Sequence, residues 1–186
     1  MQLSNRTRST KKALGSKAGF SLIELLIVVA IILIIVAIAI PNLLRSRIAA
    51  NEASAVENLR TITTASVVYN STWGNGYPPA LANLGGVSGN PATCDAAILI
   101  DPVLSAAPNQ KSGYIFSYTG EGPVVVPTPP GCTLPGYLGY LGTAVPISLG
   151  VTGQRSFCSD EPATIYFDIN GQPIANPTAC VALPPL

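Results

Sequence analysis

The sequence predicts an α+β fold in which one long N-terminal helix packs on a small antiparallel sheet. Three observations carry this reading. Leu25 to Ile40 is an unbroken apolar run, suited to lipid rather than to water. After Pro41, Leu44, Ile48, Ala55, Leu59, Ile62, Ser66 and Tyr69 recur at steps of three, four or seven, a spacing that lines up one helix face. In the C-terminal half, short apolar stretches separated by turn residues read as strands.

Residues 1–19 are polar, basic and rich in Ser and Thr, with no apolar periodicity to form a core. They read as a cytoplasmic leader, because basic flanks stay on the cytoplasmic side and direct the chain beyond Pro41 outward. An ordinary secretory signal is the alternative, with Ala37-Ile38-Ala39 as a small-residue cleavage site. The apolar run is at the long end for such a signal, and an acid at Glu24 gains nothing there. The stretch Lys17-Ala18-Gly19-Phe20-Ser21-Leu22-Ile23-Glu24 places one carboxylate near the start of an otherwise apolar span, a Gly just before it and basic residues behind.

That combination resembles the N-terminus of type IV pilins and of the pseudopilins of type II secretion. Ala18 separates Lys17 from Gly19, where the family usually has a basic residue directly before the Gly. The resemblance implies that a prepilin peptidase cuts between Gly19 and Phe20 and methylates the new amino terminus at Phe20. Glu24 and Pro41 then take the fifth and twenty-second places of the mature chain, as in the family. The likeness covers Lys17 to Pro41 and extends more weakly along a helix to Tyr69. It implies insertion in the bacterial inner membrane with a cytoplasmic N-terminus, followed by assembly into a filament. The implied partners are the peptidase/methyltransferase, other pilin subunits in a homo-polymer, and pilus or type II secretion assembly machinery.

Glu24 needs a physical account, since a carboxylate in a membrane helix costs about 2.5–3.5 kcal/mol on insertion scales. It either lies at the interface or has a partner. In a filament, the α-amine created at Phe20 of an incoming subunit supplies that partner, and exclusion of water strengthens the pairing. Pro41 lacks an N–H and opposes the carbonyl of Ala37, so the helix is expected to kink or loosen there. Helical patterning resumes at once, with Arg45, Glu52, Glu57 and Arg60 read mostly off the apolar stripe. A helix from Phe20 to Tyr69 spans about 75 Å at 1.5 Å per residue. The expected organisation is a leader over 1–19, a transmembrane and polymerisation helix over 20–41, an amphipathic helix over 42–70 and a head over 71–186.

The run from Asn70 to Pro79, rich in Gly and Pro, is expected to end the helix. Asn70-Ser71-Thr72 fits the N-glycosylation pattern, a three-residue match that carries little weight. One short helical turn is expected near Ala96 to Leu104. Strands are expected at Tyr114–Tyr118, Ala144–Leu149, Arg155–Cys158 and Thr164–Asp168, each followed by turn residues. Gly122–Gly142 and Gln172–Leu186 read as long surface loops.

Cys94, Cys132, Cys158 and Cys180 all follow the apolar span, in the compartment where disulfides persist. Their separations are long, with no Cys-x-x-Cys pair, so two disulfides are expected rather than zinc or redox chemistry. Four Cys allow three pairings. Cys94 with Cys132 and Cys158 with Cys180 is favoured, because each bond then staples a Pro/Gly-rich loop near a strand. Asp168-Ile169-Asn170-Gly171 resembles the start of a calcium loop but lacks the later acidic ligand, and a turn is the simpler reading. Tyr69, Trp73, Tyr77, Tyr114, Phe116 and Tyr118 read as packing residues.

Five of the ten basic residues (Arg6, Arg8, Lys11, Lys12 and Lys17) precede Phe20, while all nine acidic residues follow it. The processed chain keeps five basic against nine acidic side chains, a net of −4, which argues against a general nucleic-acid surface. The chain has no His, so Ser-His-Asp triads and His-ligated metal sites are excluded. No enzyme activity, cofactor or metal is expected. The sequence reads as a structural subunit of a type IV pilus-like filament, with a type II secretion pseudopilin as the alternative and a membrane-tethered binding domain or enzyme behind both.

Overall fold

The computed structural model describes residues 19–161 and 163–186. The leader expected before Gly19 therefore lies outside the described residues. The chain divides into two units, one ending at Pro41 and the other running from Asn42 to Leu186. Helix α1 (Leu22–Trp73) contributes to both. The other elements are α2 (Leu81–Leu84), α3 (Pro102–Ser105), β1 (Gln110–Lys111), β2 (Tyr114–Val124), β3 (Tyr137–Pro146), β4 (Ser156–Asp160), β5 (Ile165–Asp168) and α4 (Pro177–Val181).

α1 continues through Pro41 without a break. At the other end the helix runs past the expected boundary at residue 70, taking in Ser71, Thr72 and Trp73. The stop is Gly74, whose φ of 63° is open to glycine and costly for most residues. Its N–H donates to the carbonyl of Asn70 at 2.9 Å, satisfying one of the last helical acceptors.

The strands form one antiparallel sheet in the order β1-β2-β3-β4-β5, so chain order is sheet order. Within the second unit, Ala55, Leu59, Ile62, Ser66 and Tyr69 of α1 are buried in a core shared with Tyr114, Phe116, Tyr118, Tyr140, Ala144 and Phe157 of the sheet. The alternation buried-exposed along Tyr114–Thr119 is the period-two pattern of a half-buried strand. Full burial of Leu59 and Ile62 contributes about 1.5–3 kcal/mol each relative to exposure. A smaller core on the opposite side of the sheet joins Leu141, Cys158 and Cys180 to Tyr166, Ile174 and Leu183.

Three sequence expectations are corrected. β3 begins at Tyr137 rather than Ala144, and β2 continues to Val124, so both ends of the stretch read as a loop over 122–142 are sheet, and only 125–136 is loop. Gly142 is a close-approach position: a Cβ on it would sit 3.2 Å from Leu59 Cδ1, so the bare backbone lets α1 approach the sheet. The helical turn expected near Ala96–Leu104 begins only at Pro102, where Asp101 caps it by accepting from Val103 N–H at 2.6 Å and Pro102 starts the turn. Residues read as the final loop include α4, capped by the Asn176 side chain, which accepts from Ala179 N–H.

Candidate assembly helix and head clasp

In the first unit, Gly19, Phe20 and Ser21 precede α1. Leu25 N–H donates to the Ser21 carbonyl at 3.2 Å, and Glu24 lies in the first turn. A negative charge in the first turn is favourably placed relative to the positive end of the helix dipole. Gly19 is exposed, its φ lies outside the left-handed region, and a Cβ on it would meet nothing within 4 Å. Neither packing nor backbone geometry therefore asks for glycine at that position. Phe20 and Leu22 are 76% and 80% exposed, and the large apolar side chains onward to Ile40 are exposed too. The most apolar window of α1 has mean hydropathy 3.4 and no buried residue. Leu22 to Ile40 rises about 28 Å, close to the hydrocarbon thickness of a bilayer. Among the described residues, Glu24 has no cationic partner.

In the second unit, the sequence missed the role of Glu52. It was placed off the apolar stripe, yet it is 8% exposed and anchors α1 to the start of β4. Oε1 accepts from the backbone N–H groups of Gln154 and Arg155 at 2.9 and 3.1 Å. Oε2 accepts from Arg155 Nε at 2.9 Å and lies 2.8 Å from its second guanidinium nitrogen. The guanidinium also covers the rings of Phe157 and Phe167 at 5.4 and 5.2 Å, a cation–π arrangement. The signal was present: steps of three and four back from Ala55 and Leu59 reach position 52.

Asn75, fully buried just after α1, was likewise missed. Its Oδ1 accepts from Gly136 N–H at 3.1 Å and its Nδ2 donates to the Leu134 carbonyl at 3.0 Å. This ties the helix exit to the segment between β2 and β3. The same segment is held by the Cys94–Cys132 disulfide, while Cys158–Cys180 fastens α4 to β4. These are the pairings the sequence favours. Asp168 closes a turn, its two oxygens accepting from Asn170 N–H at 3.1 Å and Gln172 N–H at 3.0 Å.

Residues 14–40 match the family model for the prokaryotic N-terminal methylation motif. This motif is the one that marks the class III signal peptide of type IV pilins and pseudopilins, and the match is confined to that stretch. Comparison with curated proteins and with solved structures gives no match. The prepilin motif implies processing by a prepilin peptidase and assembly into a pilus or pseudopilus. The long helix followed by an antiparallel sheet is a pilin-like α+β layout, and the exposed apolar helix fits inner-membrane anchoring.

Proposed function

We propose that this chain is a structural subunit of a type IV pilus-like filament. In this reading residues 1–19 are a cytoplasmic leader, cleaved after Gly19 and followed by N-methylation of Phe20. Residues 20–41 anchor the prepilin in the inner membrane and then form the filament core. The rest of α1 carries the disulfide-bonded head. The observation that carries the proposal is Glu24, a carboxylate without a partner among the described residues at the start of an exposed apolar helix. Such a group is costly in lipid unless assembly gives it a cation, and the methylated amine of Phe20 on a neighbouring subunit is a cation of the right charge. Gly19, which the fold does not require, is explained by the needs of the peptidase.

The second reading, a secretion pseudopilin, uses the same helix. A head closed by two disulfides over long loops favours the pilus. Mass analysis of protein sheared from cells tests the processing, with a mature chain beginning at N-methyl-Phe20 expected. A chain beginning at Met1 or Ile40 would contradict it. Immunogold labelling of filaments beyond the cell envelope is expected for the pilus, and labelling confined to the envelope for the pseudopilus.

A further inference from the structure

A cleft of about 340 Å³ opens on the face of the sheet turned away from α1, lined among others by Glu121, Leu138, Gly139, Asp160, Glu161 and Pro177. The register pairs Glu121 with Gly139 and Leu141 with Asp160, so the missing side chain of Gly139 leaves a gap between carboxylates. A Cβ on Gly139 would lie 3.5 Å from the Glu121 carbonyl oxygen and 3.6 Å from Glu161 Oε2, so two acceptors converge on that spot. Three acids and no base line the cleft.

Asp160 supplies an independent observation. The residue is only 6% exposed, and its Oδ1 is buried with no hydrogen-bond partner among the described residues. A buried acceptor without a donor costs free energy until a donor arrives. Burial raises the pKa of this carboxyl, and the charge of Glu161 adds to the effect, as expected for a site short of positive charge.

The complementary charge stands elsewhere on the chain. Of the five cations after Phe20, Arg60 pairs with Glu57, Lys111 with Asp101 and Arg155 with Glu52. Arg45 and Arg47 are exposed and have no acidic partner among the described residues. Two residues apart on a helix, they project from nearly opposite sides, so only one can enter a given cleft.

We infer that the Glu121–Asp160–Glu161 cleft receives the guanidinium of Arg45 or Arg47 from a neighbouring copy of this chain. The inference rests on the polymer reading above. A planar guanidinium presents five donors, enough to meet carboxylates on both strands together with the orphan Asp160 oxygen. The contact would fix the register between subunits, while the apolar helices supply the bulk of the packing.

Charge reversal in the full-length protein, expressed in its own cells, tests this. Glu161→Arg, and either Arg45→Glu or Arg47→Glu, are expected to lower surface filaments about tenfold or more at unchanged membrane levels. Combining Glu161→Arg with the responsible arginine reversal is expected to restore them. Glu161→Cys with Cys at that arginine position is expected to give covalent dimers in isolated filaments, a readout independent of any loss of fold in the reversals. If reversal variants assemble as the wild type does and no dimers form, while Glu24→Ala abolishes filaments, the cleft contact is overturned and the polymer reading stands. A wild-type chain absent from every filament overturns both. Binding of calcium alone to the purified protein, lost in Glu161→Gln, would assign the cleft to a metal ion and overturn the arginine contact.

Discussion

Glu52 Oε2 lies 2.8 Å from a guanidinium nitrogen of Arg155, and the same carboxylate holds the backbone N–H groups of Gln154 and Arg155 just ahead of β4. One side chain on α1 thus meets four donors from a single turn. The Glu52 side chain is 10% exposed and that of Arg155 37%, so the pair sits at the edge of the core rather than in it. Removing Glu52 leaves two backbone donors and a guanidinium uncompensated. Removing Arg155 leaves Glu52 its backbone partners.

Glu52→Ala should therefore cost about 2–3 kcal/mol and Arg155→Ala distinctly less. Chemical denaturation of the detergent-solubilised protein checks this. Equal losses for the two variants would contradict the asymmetry.

Removing either disulfide as a paired Cys→Ser change should cost about 2–4 kcal/mol. The two loops, 38 and 22 residues apart in sequence, are close in their logarithmic closure entropy. Alkylation without reduction should label none of Cys94, Cys132, Cys158 and Cys180, and peptide mapping should recover the two pairs.

Asp160 and Asp101 bend the pH dependence of stability in opposite directions. Burial raises Asp160 above its unfolded value of 3.8, so its contribution is fully present below that value and is lost as pH rises through the folded pKa. Hydrogen bonds from Lys111 and Val103 N–H lower Asp101. Its contribution is present above the unfolded value and lost as pH falls through the folded one. Asp160→Asn should raise Tm near neutral pH and lose that advantage under acid, whereas Asp101→Asn should lower Tm near neutral pH. Thermal scans of the unassembled protein across pH 2 to 8 (about the carboxylate range and beyond) check both signs.

Gly153→Ala should destabilise the head by about 1–3 kcal/mol. Its Cβ would fall on the ring and hydroxyl of Tyr114, which is fully buried and donates from that hydroxyl to the Arg155 carbonyl at 2.8 Å. Chemical denaturation reads the loss, and displacement of the buried Tyr114 ring should show in near-UV circular dichroism.

The helix and the sheet were legible because their periodicities are simple: 3.6 from Ala55 to Tyr69, and 2 from Tyr114 to Thr119. The start of β3 was not, because Gly139 and Gly142 look like turn residues until a helix is known to lie over one of them. Glu52 was hidden by its charge, although its position on the stripe was readable. Its donors, Gln154 and Arg155, lie about a hundred residues away. The carboxylates of the outer cleft come from two separate stretches brought together only by the β2–β3–β4 register. Gly19, Phe20 and Glu24 stood out from the sequence because a small residue and a single carboxylate are conspicuous at the edge of an otherwise apolar run.

The most direct measurement of the central claim is the yield of surface filaments from cells carrying Glu24→Ala or Glu24→Gln, with membrane levels of the protein followed in parallel. Removing the charge eases insertion in lipid, so membrane levels should hold or rise. If Glu24 compensates the Phe20 amine of a neighbour, each filament contact in the variants leaves a buried cation unpaired, and filaments should fall by about tenfold or more. Glu24→Gln should fail like Glu24→Ala, since it keeps the shape and not the charge. Normal filaments from either variant would contradict the account.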